Sequence, residues 1–243
     1  MSVSTSVQEF VAMQPRLAWR RRLVRTVIRG LGFGVLWNVM VTGTENIPDS
    51  GPTVLMMNHI SLLDPILCMG AVTHRFVIPM TKIENVRNPI LGPFVRLWGS
   101  YSVNRGEVDR TALLNSIELL KSGQLILVAP EGTRHPEGLS RPKDGLAYIA
   151  TKADAVIIPS AIAGAVGWQE KMKHLQRPRI RVNFGRAFKL KSGGRSRIPR
   201  EELSEMMDEA MYQLAIAVTD ETRRGVYSDL NKATTHHLEF LVP

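Results

Sequence analysis

The alternation of short apolar runs with helical patterns most constrains the fold of this chain. Apolar strand candidates lie at 54–57, 76–80, 100–103, 125–129, 155–159 and 179–184. Helical patterns separate these runs, near 65–72, 88–98, 110–121 and 144–152, and a further one follows at 200–218. Strands that alternate with helices are typical of one sheet covered by helices. We therefore predict an α/β fold with a mixed sheet covered by helices.

A turn-rich stretch divides the chain near residue 43. Residues 43–52 combine Gly, Pro, Asn and Asp, which favour turns. We place an N-terminal helical segment at 1–43 and a single larger domain at 44–243. All the predicted strands lie after residue 43, so we expect the larger domain to fold alone. The single cysteine, Cys68, lies in an apolar helical pattern, which predicts a core residue and excludes a disulfide framework.

The N-terminal segment has the pattern of a basic amphipathic helix over 16–43. On a helical wheel, one arc holds Arg21, Arg22, Arg25 and Arg29, and the other holds Trp19, Leu23, Val24, Val27, Ile28 and Leu31. The first fifteen residues are polar and aperiodic, so we expect them to fray. The uncharged run at 30–44 is too short to span a bilayer, which requires about 18 residues or more. This pattern predicts a helix at a membrane interface or, alternatively, one packed on the protein's own core.

The distribution of charge predicts an anionic partner. The formal net charge is +9, and residues 171–200 hold eleven Lys and Arg side chains but no acidic ones. Such a stretch favours a membrane surface, a phosphorylated substrate or nucleic acid, although a solvated basic face is the alternative. Aromatic residues are not interleaved with the cations, and no nucleic-acid-binding signature occurs, so we expect an anionic membrane surface and no nucleic acid.

A polar loop at 58–65 follows the apolar run at 54–57 and contains His59 and Asp64. Loops at the carboxyl ends of strands commonly bind ligands in α/β sheets, so His59 is a candidate general base. A carboxylate five residues later can return to the imidazole and fix its tautomer. The alternative is that Asp64 only caps the following helix, because Ser61-x-x-Asp64 fits a capping box and Pro65 suits a first helical turn.

A second polar loop, Pro130-Glu131-Gly132-Thr133-Arg134, follows the run at 125–129. With the first loop, it resembles the glycerolipid acyltransferase family. Asn58-His59 and Asp64 match that family's NHxxxxD block, and Glu131 to Arg134 match its EGTR block. The stretch from Gly99 to Arg105 is similar to the second block, and Val156 to Pro159 is similar to the fourth. The resemblance covers about residues 42–190.

The resemblance implies acyl transfer to an alcohol, with His59 as the base and Asp64 orienting its imidazole. It also implies a set of residues that bind the acceptor's phosphate: Arg105, Glu131, Gly132, Thr133 and Arg134, with Lys82 as a weaker contact. A glycine lets the backbone approach an anion, and arginine offers a bidentate fork. Taken alone, the 130–133 stretch would be a polar turn and Lys82 an exposed lysine.

The same resemblance implies lysophosphatidic acid (1-acylglycerol-3-phosphate) as the acceptor and phosphatidic acid as the product. An acyl-CoA or acyl-carrier-protein thioester would be the co-substrate, with no cofactor and no metal. We expect a peripheral or monotopic protein on the cytoplasmic face of a membrane. The alternatives are acyl transfer to another lysophospholipid or to glycerol 3-phosphate, and a non-catalytic binder of anionic lipid or nucleic acid. His135 and Pro142 depart from the family's pattern, which leaves the acceptor open.

Overall fold

A computed structural model describes residues 6–82, 89, 91–103, 110–195 and 197–241. The strands are β1 (Asn38–Thr42), β2 (Thr53–Met57), β3 (Val77–Lys82), β4 (Tyr101–Val103), β5 (Leu125–Val128), β6 (Val156–Ala163), β7 (Arg179–Phe184), β8 (Phe188–Leu190) and β9 (Leu238–Phe240). The α-helices are α1 (Val7–Val27), α2 (Asp64–Ala71), α3 (Leu91–Trp98), α4 (Arg110–Lys121), α5 (Gly145–Ala153), α6 (Trp168–Lys173) and α7 (Arg200–Ala217). A π-helical stretch, Ile28–Leu36, continues α1, and 3-10 turns lie at Thr44–Asn46, Glu221–Arg223, Gly225–Tyr227 and Leu230–Lys232.

The strands form one mixed sheet in the order β1-β7-β6-β2-β5-β3-β4, with β8 joining β6 to β9. The central strands β6, β2, β5, β3 and β4 run parallel to one another. Strand β7 runs antiparallel to β6, and the edge strand β1 is parallel to β7. The predicted α/β fold with a mixed sheet is therefore confirmed.

The central strands β2 and β6 are buried on both faces of the sheet, as the continuous apolar runs predict. Alternate residues of β2 enter opposite cores, because side chains along a strand point to alternate faces. Val54 and Met56 pack in the core that includes residues of α4, α5 and α7. Leu55 and Met57 pack in the other core, with residues of α2 and the end of α1. Cys68 is 0% exposed in this second core, as expected for a core residue.

The chain before residue 44 forms part of the same structure. Helix α1 begins at Val7, where Ser6 and Glu9 form a capping box, and Val7 is buried. Strand β1 then pairs with β7 in register from Asn38↔Arg179 to Thr42↔Asn183. The expectation that every strand follows residue 43 is therefore wrong. The fraying expected for the first fifteen residues is wrong for residues 6–15, which form the cap and the first turns of α1. Removing this segment would take away an edge strand and buried side chains.

Two arginines of helix α1, Arg21 and Arg25, contact the rest of the protein. Arg21 is 1% exposed, and it donates from Nε to the Trp98 carbonyl at 2.7 Å and from Nη2 to the Gly99 carbonyl at 3.1 Å. Arg25 donates to the Val72 carbonyl at 3.2 Å. Burial lowers the pKa of Arg21 to about 10, so the side chain stays charged at neutral pH. The expectation that the basic face contacts lipid is therefore wrong for Arg21, because its guanidinium donates to carbonyls at the end of α3 instead.

The outward face of α1 and of its π-helical continuation carries an apolar stripe, spaced four residues apart. Its members are exposed as follows: Trp19 60%, Leu23 57%, Val27 52%, Leu31 52% and Val35 59%. Within the ranges described above, no helix is long and apolar enough to cross a membrane. The apolar stripe thus faces outward, while Arg21 is buried, Arg25 is half-buried, and Arg22 and Arg29 are exposed.

The basic stretch at 171–200 is distributed over several elements, and many of its cations have protein partners. Arg177 donates to the Gly34 and Trp37 carbonyls, at 2.8 and 3.1 Å. Lys189 pairs with Asp154 at 2.5 Å, and Arg195 and Arg200 also pair with carboxylates. A part of the predicted basic face therefore stabilises the fold.

Candidate active site

The first and third motif loops meet at one edge of the sheet. Strands β2 and β5 are parallel neighbours, with Met56 in register with Val128, so both loops leave the same edge. The His135 N–H donates to the His59 carbonyl at 2.7 Å. The His59 N–H donates to Glu131 Oε1 at 3.3 Å. The structure thus brings together the loops that the sequence separates by about seventy residues.

His59 and Asp64 form a direct pair. His59 Nδ1 lies 2.9 Å from Asp64 Oδ2, and the His59 side chain is 21% exposed whereas that of Asp64 is fully buried. In the described part of the chain, His59 Nε2 has no hydrogen-bond partner. A neutral imidazole held in this way carries its proton on Nδ1 and presents the Nε2 lone pair outward.

The Asp64 carboxylate also organises the turn that precedes α2. Its Oδ2 accepts from the N–H groups of Ile60 and Ser61, both at 2.7 Å. Burial raises the pKa of Asp64, and the hydrogen bonds from His59 and the backbone oppose that effect. The capping interpretation accounts for the backbone contacts but not for the contact with His59. Asp64 therefore both orients the His59 imidazole and stabilises the turn before α2.

Asn58 fixes the strand end from which His59 leaves. It is 1% exposed; its Nδ2 donates to the Ile162 carbonyl at 2.9 Å, and its Oδ1 accepts from the Ile162 N–H at 2.7 Å. The side chain therefore continues the β2–β6 ladder beyond its last backbone pair. No role for Asn58 was predicted from the sequence, although an amide directly after an apolar strand is a usable signal.

Glu131 links the two loops through hydrogen bonds. Its carboxylate is buried, and Oε2 accepts from the N–H and the hydroxyl of Ser140, at 2.9 and 3.0 Å. Burial raises the pKa of Glu131, and the donors from Ser140 and His59 oppose the rise. A carboxylate repels a phosphate, so these contacts favour a positioning role over the phosphate contact that the resemblance implied. Ser140 was not singled out from the sequence.

Gly132, Thr133, Arg134 and the backbone of Lys82, also predicted to bind phosphate, lie around the same edge. Gly132 has a φ of 76°, a left-handed conformation that glycine tolerates without strain. Thr133 and Arg134 follow it and are exposed. Lys82 ends β3, which pairs with β5, so its backbone lies at the same edge of the sheet. Arg105 lies outside the described residues, and the phosphate contacts of this group stay predictions.

This arrangement suits proton transfer at the carboxyl edge of the sheet, where the His59 side chain is partly exposed. An oriented imidazole with a free Nε2 can take a proton from a hydroxyl group. The adjacent left-handed glycine, threonine hydroxyl and exposed arginine are groups that commonly bind anions. Cys68 is unsuited to nucleophilic attack because it is buried and burial raises the pKa of its thiol. Among the described residues, no group of three or more His, Cys, Asp or Glu side chains is placed to hold a metal ion.

Comparisons with known proteins identify a family model and relatives that this chain resembles. A family model described as acyltransferase matches residues 38–163, just over half of the chain. A 1-acyl-sn-glycerol-3-phosphate acyltransferase of Streptococcus pneumoniae is 27% identical over 210 residues, covering 84% of this chain and 73% of that protein. An enzyme of the same name from Borreliella burgdorferi is 32% identical over 124 residues, covering 50% of this chain and 49% of that protein.

A solved structure gives an independent comparison of the fold. The crystal structure of the 1-acyl-sn-glycerophosphate acyltransferase from Thermotoga maritima superposes with a TM-score of 0.57 at 24% sequence identity. The match covers 83% of this chain and 81% of that one. At this identity, the likeness establishes a shared fold.

Proposed function

The chain belongs to the acyltransferase family, and on this premise we propose that it transfers a fatty acyl group from an acyl thioester to the free hydroxyl of 1-acylglycerol-3-phosphate. The observation that carries the proposal is the His59–Asp64 pair beside the Glu131–Arg134 turn. The names of the relatives from S. pneumoniae and B. burgdorferi support this acceptor. The product is phosphatidic acid.

In the proposed mechanism, His59 Nε2 takes the proton from the acceptor hydroxyl as that oxygen attacks the thioester carbonyl. The tetrahedral intermediate then collapses, the carbon–sulfur bond breaks, and the thiolate takes the proton from the imidazolium. Asp64 stabilises the positive imidazole while it exists, across the 2.9 Å contact. A general base of this kind contributes roughly 10²–10⁴-fold to the rate.

The acceptor's phosphate would bind beside the general base. Arg134 and Thr133 are exposed on the turn that follows β5, and Gly132 lets the backbone of the turn approach an anion. We assign Arg105 and Lys82 to the same task because the family resemblance implies it. Acyl-CoA or acyl carrier protein supplies the thioester, and neither a cofactor nor a metal enters these steps.

We also propose that the stripe on α1, from Trp19 to Val35, inserts into one leaflet of a membrane. The inner face of the helix is already held by Arg21 and by the buried side chains of Val24 and Ile28. The protein core therefore covers one face and leaves the apolar face outward. This arrangement supports a peripheral or monotopic protein, and the lack of any disulfide framework in the sequence favours the cytoplasmic side.

An acyl-transfer assay across a panel of acceptors tests the proposed function. Thiol release from acyl-CoA is followed with lysophosphatidic acid, other lysophospholipids, glycerol 3-phosphate and monoacylglycerol. We expect the highest kcat/KM with lysophosphatidic acid. A clear preference for another acceptor would replace the substrate but keep the chemistry. No thiol release above background with any acceptor, from either thioester donor, would favour a non-catalytic lipid binder.

A further inference from the structure

Lys143 lies against the Glu131–Arg134 turn, although it belongs to none of the sequence motifs. Its N–H donates to the Pro130 carbonyl at 3.0 Å, which fixes its backbone beside the turn. Its side chain extends over Gly132: a Cβ built on that glycine would lie 3.2 Å from Lys143 Cε and 3.3 Å from Nζ. The lysine ammonium is therefore held at the surface of the turn.

The glycine at position 132 makes this approach possible. A side chain there would meet the end of Lys143 at distances tighter than ordinary van der Waals contact. It would also be strained, because φ at this position is 76°. Gly132 thus serves two purposes, since it permits the turn and leaves room for a cation on it.

The ammonium of Lys143 has no carboxylate partner among the residues that the structure describes. Glu131, the acidic residue of the turn, already accepts from His59 and Ser140. Asp144, the next residue along the chain, pairs with Arg200 at 3.4 Å. A positive charge placed in this way on a turn that also carries Arg134 suits a doubly charged anion better than a neutral group.

We propose that Lys143 binds the phosphate of the acceptor and contributes to selection of phosphorylated over neutral acceptors. The inference rests on the proposed function, because it assigns a further residue to that site. Lysine acts there as a compact charge with three donors, complementing the planar fork of Arg134 on the same turn. Its effect should appear in acceptor binding and not in the chemical step.

The test compares Lys143→Met with Arg141→Met, a matched control that removes a positive charge from an exposed position two residues away. Initial rates are measured in detergent micelles, so that membrane binding does not enter. For Lys143→Met, we expect KM for lysophosphatidic acid to rise roughly tenfold to a hundredfold. The KM for the acyl donor, the KM for monoacylglycerol and kcat should change by less than about threefold. Lys143→Arg should restore most of the acceptor affinity.

Binding of lysophosphatidic acid without a donor provides a second readout that does not depend on turnover. Wild type should bind the lipid and Lys143→Met should bind it at least about tenfold more weakly. Equal binding and equal KM in wild type and Lys143→Met would overturn the inference while the proposed function stands. A wild type that neither binds nor acylates lysophosphatidic acid would overturn both. Equal weakening by Arg141→Met would show a general charge effect and also overturn the role of Lys143.

Discussion

Replacing the centre of the outward apolar stripe should release the protein from membranes. The perturbation is the double variant Leu23→Glu/Val27→Glu, at positions that are 57% and 52% exposed. Full burial of such side chains contributes roughly 1.5–3 kcal/mol each. Because about half of each side chain is exposed, insertion of the two into lipid contributes about 2 kcal/mol in total. Two carboxylates near an anionic surface add about 2 kcal/mol of repulsion. The sum, about 4 kcal/mol, corresponds to a roughly thousandfold weaker partition.

Vesicle flotation measures this partition directly. Wild type and the variant are mixed with vesicles of neutral and anionic phospholipid over a salt series. We expect wild type to float at all salt concentrations with only partial weakening, because salt screens charge contacts but not apolar insertion. The control variant Ile216→Glu/Val226→Glu adds the same charge at positions that are 51% and 62% exposed and lie outside the stripe.

Two results would refute this reasoning. Equal flotation of wild type and Leu23→Glu/Val27→Glu would show that the stripe does not contact lipid. Equal release by the control variant would show that net charge alone governs binding. Point substitutions are preferred to deletion of residues 1–43, because that deletion removes β1 and the buried Arg21.

Three further predictions concern the candidate active site. Arg134→Ala should raise KM for lysophosphatidic acid by roughly ten- to a hundredfold, because it removes a charge-assisted contact; equal losses with monoacylglycerol would assign the arginine to loop support. Glu131→Gln should lower the free energy of unfolding by about 1–3 kcal/mol, since an amide cannot accept from both Ser140 and His59 as the carboxylate does; an unchanged denaturant midpoint would contradict that role. Asp64→Asn should reduce kcat by more than about tenfold; near-normal activity of Asp64→Asn with lowered stability of Asp64→Ala would leave Asp64 as a helix cap only.

The central parallel strands could be predicted from the sequence because buried parallel strands are continuous apolar runs. The run at 54–57 lies within β2, and the run at 125–129 contains β5. The candidate at 179–184 coincides with β7, where buried Ile180, Val182 and Phe184 alternate with polar residues. Strand β1 was missed because it lies at the sheet edge, where its side chains alternate between exposed and half-buried. Val39, Met40 and Val41 also belong to the uncharged run at 30–44, so the sequence pattern does not separate them from the helical segment.

The orientation of α1 could not be predicted because it depends on partners distant in sequence. The carbonyls of Trp98 and Gly99, which accept from Arg21, follow it by 77 and 78 residues. A helical wheel shows that arginines and apolar side chains separate, but not which face meets the protein. Carbonyl acceptors at the end of α3 hold Arg21 on the inner face, where Val24 and Ile28 of the predicted apolar arc are also buried.

In the candidate site, too, local contacts could be predicted from the sequence whereas contacts between distant residues could not. The turn between His59 and Asp64 is local, so the spacing of the two residues was enough to suggest that they meet. The task of Glu131 depends on the His59 N–H, 72 residues earlier, and on Ser140 in a following loop. No local pattern predicts that pairing, and the family resemblance implied a phosphate contact for Glu131 instead.

The central claim is that His59, oriented by Asp64, is the general base of acyl transfer. The most direct test is the kcat of purified His59→Ala in thiol release from acyl-CoA with lysophosphatidic acid as acceptor. The side chain lies on a loop and is partly exposed, so the variant should keep the wild-type unfolding midpoint. We predict a loss of at least ~10²-fold in kcat. A folded His59→Ala protein that keeps more than about a tenth of wild-type turnover, above the range left by loss of a general base, would contradict the claim.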